Sequence, residues 1–183
     1  MSDPLQFEAF MRNYQDMVFT AALRLVGNEA DAEDIAQDVF LRAYTHFDQL
    51  RHSPTVGGWL KTVTRNLSLN HLTRYRARWR FFSECDDQGE SGEHHDFAAN
   101  LPAPDVSTQA VDAADQRNLL ESALQKLPAA QRVPLVLYHF DNLSYEEIAA
   151  KLRVSLGKVK TDIHRGREAL RQRLMRNPEA APA

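Results

Sequence analysis

The 183-residue sequence predicts an all-α protein, two small helical domains joined by a flexible acidic linker. Three observations carry that prediction. Apolar residues recur at helical spacing on both sides of the middle of the chain, and no alternating apolar run marks a strand. The middle itself, ECDDQGESGEHHDFAANLPAPDVST, is rich in Asp, Glu, Gly, Ser and Pro and poor in aliphatic residues. Such a segment cannot bury enough surface to offset its ordering entropy. Charge is also segregated: residues 1–83 carry ten basic and nine acidic side chains and residues 119–183 carry eleven and seven, whereas residues 84–118 carry one and nine. The formal net charge of −3 therefore comes from one segment, and the flanking regions are basic. The expected layout is a domain over 1–83, a linker over 84–108, a second domain over 109–176 and a disordered tail over 177–183.

Taking the elements in order, Asp3 and Pro4 suit a helix start. Phe7, Phe10, Met11, Tyr14, Val18, Ala22 and Leu25 then follow on one face. Gly27-Asn28 breaks that helix. The next opens with DAEDIAQDVF, whose Asp31, Glu33 and Asp34 fall in or near the first turn, where the helix dipole favours them. Ile35, Val39, Ala43 and Phe47 form its inner face. Pro54, Gly57 and Gly58 mark a loop, and Trp59 starts a third helix, running to about Arg80.

That third helix carries six basic residues between Lys61 and Arg80 and no acid. Aromatics are interleaved: Trp59 at its head, and Tyr75, Trp79, Phe81 and Phe82 at its tail. Asn66 and Asn70 sit four apart on one face beside His71 and Arg74. Basic side chains attract phosphates, Asn pairs with base edges, and aromatic faces stack unpaired bases.

Past the linker, Pro134 lies inside the otherwise helical stretch 129–140 and is expected to kink it or shift its start. Ser144 with Glu147 makes a capping box, so a helix starts at Tyr145, with Ile148, Ala149 and Leu152 on its apolar face. Ser155 caps a second helix with a buried stripe of Val159, Ile163, Ala169, Leu170 and Leu174. From Lys151 to Arg176 there are nine Lys or Arg against two acids, Asp162 and Glu168. A short helix, a turn and a basic helix are the plan of a helix-turn-helix, whose second helix enters the DNA major groove. At the turn stands Arg153 where glycine is common; a positive φ there would cost roughly 1 kcal/mol, tolerable in a packed motif.

The blocks DAEDIAQDVFLRAY, GGWLKTVTRNLSLNHL, LPAAQRVPLVLYHFDNLSYEEIAAKL and VSLGKVKTDIHRGREALRQRL occur here in the order found in extracytoplasmic-function sigma factors. The chain resembles that family over nearly everything except the linker and the two tails. The resemblance implies a dissociable subunit that joins core RNA polymerase, recognises a promoter and helps open it. It assigns Asp34, Gln37, Asp38, Phe40 and Arg42 to polymerase docking. Trp59, Lys61, Arg65, Asn66, Asn70, Arg74 and Arg76 belong to the minus-ten face, with Asn66 beside a flipped base. On the last helix, Lys160, Thr161, His164 and Arg165 match base-facing positions for the minus-thirty-five element, and Lys158 and Arg167 match phosphate contacts. An anti-sigma factor is the expected controlling partner. No enzyme activity, cofactor or metal is expected.

The linker has a mechanical consequence. A flexible 25-residue chain spans roughly 25–30 Å, shorter than the single DNA turn of about 34 Å that the two promoter elements exceed. Core polymerase is therefore expected to set the lobe separation. One rival reading is a stand-alone helix-turn-helix regulator binding operator DNA without polymerase. Another is a metal site built from Cys85, Asp87, His94, His95 and Asp96, whose spacing matches no closed ligand pattern. No run of about 18 apolar residues exists, so no membrane insertion is expected. The N-terminus lacks the pattern of a secretory signal. The lone Cys85 fits a reducing cytoplasm.

Overall fold

The computed structural model describes residues 4–83 and 110–176, with side chains over 4–74 and 113–176. The linker 84–108, with Cys85, His94 and His95, and the tail 177–183 lie outside the described residues. Among those described, every element is a helix.

Helix α1 spans Pro4–Val26, with proline at the first position, where a missing N–H costs nothing. Helix α2 spans Glu29–Thr45 and begins two residues before Asp31, because the Asn28 side chain accepts from the Asp31 N–H at 2.8 Å. A four-residue helix, α3 (Phe47–Leu50), precedes α4 (Val56–Ser83). Helix α4 starts three residues ahead of Trp59, so Gly57 and Gly58 lie in its first turn rather than in a loop. Val56, Trp59 and Leu60 pack on the core, which outweighs the roughly 1 kcal/mol each glycine costs in a helix. Val18, Ala22, Val39, Ala43 and Leu60 are fully buried between α1, α2 and α4. Phe7, Phe10 and Phe47 close one end of this core, with ring centroids 5.1–5.9 Å apart.

The second core belongs to α5 (Ala110–Gln125), α6 (Ala129–His139), α7 (Tyr145–Leu152) and α8 (Leu156–Met175). Helix α6 starts directly after Pro128 and runs through Pro134. Pro134 stands in the second turn, so only the Ala130 carbonyl loses its helical partner. The capping box before α7 is complete: Glu147 N–H donates to Ser144 Oγ at 3.2 Å, and Ser144 N–H to Glu147 Oε2 at 2.8 Å. Arg153 caps α7 in the left-handed region at φ 55°. Ile148, Val159 and Ile163 are buried, while Ala169, Leu170 and Leu174 are half-buried. Ser144→Ala is expected to lower the stability of this unit by about 1 kcal/mol, read from its urea midpoint, because the Glu147 N–H loses its acceptor.

The two lobes are packed against each other. Leu25 of α1 is counted in the second core, and Leu69 and Leu72 of α4 border it. Arg132 of α6 is only 5% exposed. Its guanidinium donates to the Leu25 and Val26 carbonyls at 3.3 and 3.1 Å, and to the Leu127 carbonyl at 2.8 Å. It thus satisfies the last two carbonyls of α1 and one in the connection between α5 and α6. Gly27 makes that approach possible. It sits at φ 81°, and a Cβ there would lie 2.5 Å from the Arg132 guanidinium. Beside it, Arg24 pairs with Glu121 of α5, its Nε 2.9 Å from Oε1, and lies 4.0 Å over the Phe140 ring.

Candidate nucleic-acid interface

On α8 the alternation of burial fixes what faces outward. Val159, Ile163 and Gly166 turn inward, and Lys158, Lys160, Thr161, His164 and Arg165 stand exposed. Gly166 lets the helix lie close on α6, since a Cβ there would be 3.2 Å from the Gln131 carbonyl. Positions 160, 161, 164 and 165 therefore share one face. Lys158 is paired with Asp162 at 3.1 Å.

Arg167 departs from this group. It is half-buried, its Nε donates to His139 Nε2 at 3.2 Å, and its guanidinium lies 5.4 Å from the Tyr138 ring. Burial first, and then the Arg167 charge, hold His139 below the usual imidazole range. The expected phosphate contact is thus tied to α6.

On α4, Lys61, Asn66, Asn70 and Arg74 are exposed. Arg65 is half-buried, with its Nε buried and lacking a hydrogen-bond partner. Trp59 does not stand on this face. It packs on the first core, edge-on to His46 at 6.2 Å, because it falls in the stripe with Leu60 and Val63. His71 reaches back to Asp31, Nε2 to Oδ2 at 3.0 Å, tying α4 to α2. The side chain of Arg76 and the aromatics Tyr75, Trp79, Phe81 and Phe82 lie outside the described side chains. Thr64 and Ser68, fully buried, escaped the sequence reading. Their spacing of four from Leu60 was the available signal: small polar residues there let α4 approach its neighbours, and Thr64 Oγ1 donates to the Leu60 carbonyl at 2.8 Å.

A third surface lies on α1 and α2. Asp34, Gln37, Asp38 and Arg42 are exposed as expected, but Phe40 is only 8% exposed. The apolar stripe of α2 is wide enough to draw Phe40 inward with Ile35 and Val39. Leu41 and Tyr44, absent from the expected set, are 67% and 50% exposed. Together with Phe7, Met11 and Phe19 they line a groove of about 740 Å³, floored by Phe40 and rimmed by Asp16 and Glu33. Among the described residues, no group of three His, Cys, Asp or Glu could hold a metal ion, and no helix is long and apolar enough to cross a membrane.

Comparison with known proteins places these surfaces in context. Sigma-70 region 2 matches residues 10–78, and Sigma-70, region 4 matches residues 117–170. The ECF RNA polymerase sigma factor SigW of Bacillus subtilis is 32% identical over 88% of this chain and 84% of its own length. The RNA polymerase sigma-E factor of Streptomyces coelicolor is 31% identical over 96% of this chain and 89% of its own. Among solved structures, sigma factor RpoE in complex with the anti-sigma factor NepR from Bartonella quintana covers 94% of this chain and 98% of its own, at 25% identity and a TM-score of 0.47.

Proposed function

The chain belongs to the extracytoplasmic-function sigma factors of RNA polymerase, and we propose from this how its three surfaces divide the work of initiation. Sigma factors of this kind bind core RNA polymerase and direct promoter recognition and transcription initiation. They form a family of initiation factors and not a known enzyme family. The α8 face, with Lys160, Thr161, His164 and Arg165, reads the minus-thirty-five duplex. The Arg165 guanidinium can donate two bonds to a guanine, worth roughly 1–3 kcal/mol of discrimination. The α4 face, with Asn66 and Asn70 among exposed cations, holds the non-template strand at minus ten. Preference for single strand over duplex makes opening a consequence of binding.

The groove on α1 and α2, with its acidic rim and exposed Leu41 and Tyr44, docks on core polymerase. An apolar centre with a charged rim suits a reversible protein contact. An anti-sigma factor competing for these same faces completes the reading, which places the protein's action in the cytoplasm.

The observation that carries the assignment is the pairing of two basic faces on separate lobes, one with exposed Asn and one with a helix-turn-helix. Run-off transcription with core polymerase and a pool of promoters tests it. Initiation from a subset of promoters is expected. Core binding without initiation anywhere in the pool would refute the reading. Tight, sequence-specific gel shifts by the isolated protein on duplex DNA would favour the stand-alone regulator instead.

A further inference from the structure

We propose that His139 is a positioning residue for DNA binding: from the end of α6 it fixes the Arg167 guanidinium, so that the terminal nitrogens meet one backbone phosphate of the upstream duplex. This inference rests on the assignment of α8 to the minus-thirty-five element, and it concerns a residue outside the face that reads bases.

Along α8, Lys160, His164, Arg167 and Arg171 stand at i, i+4, i+7 and i+11, and so line one edge of the helix. Lys160, His164 and Arg171 are exposed on that edge, and Arg167 is half-buried. A helix lying in the major groove has the phosphate backbone along its edge, and contacts there set register rather than sequence.

Side chains from two other helices build the seat of Arg167. Its Nε donates to His139 Nε2 at 3.2 Å, and its guanidinium carbon lies 5.4 Å from the centre of the Tyr138 ring. That ring is itself braced: it tilts against Tyr145 of α7 with centroids 4.9 Å apart, and His139 stands edge-on to it at 5.0 Å. An arginine nitrogen can only donate, so His139 is the acceptor, and an imidazole that accepts is uncharged. The Arg167 charge is therefore left whole for DNA. Lys158 is the contrast, since the Asp162 carboxylate at 3.1 Å already compensates it. Among the described residues, no other hydrogen bond and no ion pair engages Arg167, so both terminal nitrogens keep their hydrogens for an outside acceptor. A phosphate takes that fork through parallel N–H bonds. Ordering one long side chain on binding costs about 2- to 12-fold in affinity, and here the folded lobe has ordered it beforehand.

The test uses the full chain with core polymerase, held as the closed complex on a promoter taken from the run-off pool. His139 is exposed, so its replacement leaves the core intact. His139→Ala should weaken the complex about 2- to 12-fold. His139→Gln, whose amide oxygen can accept from the same nitrogen, should restore it. Promoter fragments carrying single neutral methylphosphonates through the upstream element then locate the contact. One substituted position should cost the unmodified protein affinity and cost Arg167→Ala nothing. On that fragment, and in an Arg167→Ala background, His139→Ala should have no further effect. Arg167→Ala should also lower the log–log salt slope by about 0.9, the value for one phosphate.

An effect of His139→Ala that persists on the neutral phosphate, or without Arg167, would mark support of the fold and overturn the proposal. So would a Gln variant as weak as Ala, or no effect on any fragment. Tighter binding by His139→Ala would mean that α6 withholds Arg167 from DNA, the opposite role. Arg165→Ala separates the two levels of failure. If it weakens the closed complex while His139→Ala does not, only the positioning role falls; if neither does, the assignment of α8 falls as well.

Discussion

Gly27→Asn is expected to uncouple the two lobes, turning one cooperative urea transition into two. Asparagine tolerates a left-handed backbone, so the φ of 81° costs it little. Its Cβ, however, falls 2.5 Å from the Arg132 guanidinium, and the arginine must retreat from the Leu25 and Val26 carbonyls. Hydrogen bonds to a charged group contribute about 1.5–3 kcal/mol each, so a loss of coupling of about 2–4 kcal/mol is expected after partial re-solvation. Gly27→Val adds a left-handed backbone penalty of roughly 1–2 kcal/mol within the first lobe alone. Tryptophan fluorescence follows the first lobe, and the second is followed by the helical signal that remains. Coincident transitions in Gly27→Asn would mean that Arg132 contributes nothing across the interface.

Arg165→Ala and Asn66→Ala should damage initiation at different stages. Arg165 is exposed on the face shared by Lys160, Thr161 and His164, so its loss should weaken closed-complex binding at the upstream element by about 5- to 150-fold. Asn66 is exposed on α4, away from that face. Its replacement should leave the closed complex intact and reduce strand opening, read by permanganate reactivity of unpaired thymines. Normal reactivity in Asn66→Ala would remove that residue from the strand-holding role. The pair is informative because a general loss of folding would impair both stages in both variants.

The features legible in the sequence are those decided within one or two helical turns. The capping box at Ser144 and the outward face of α8 depend on neighbours three or four residues away, and the structure has both. Helix α5 went unseen because its first half, AVDAADQRN, is polar and hides the stripe of Leu120, Ala123, Leu124 and Leu127. The starts of α2 and α4 shifted because an Asn cap and tertiary packing overrode weak local signals. The inward turn of Phe40 and Trp59 has a related cause. Each borders an apolar stripe, and only the partner helices decide whether such a residue faces in or out. The packing of lobe on lobe was the least legible feature. Arg132 contacts carbonyls 106 and 107 positions away, and nothing in its local sequence separates a buried arginine from a surface one.

That separation along the chain also orders events during synthesis. The carbonyls that end α1 emerge from the ribosome long before the arginine that caps them. At about 5–20 residues per second, the 107-position gap between Leu25 and Arg132 takes about 5–20 s to translate. Throughout that interval the carbonyls at the end of α1 are left to water. The joining of lobe to lobe is therefore a property of the finished chain. A chain that ends before Arg132 lacks the guanidinium that bridges them.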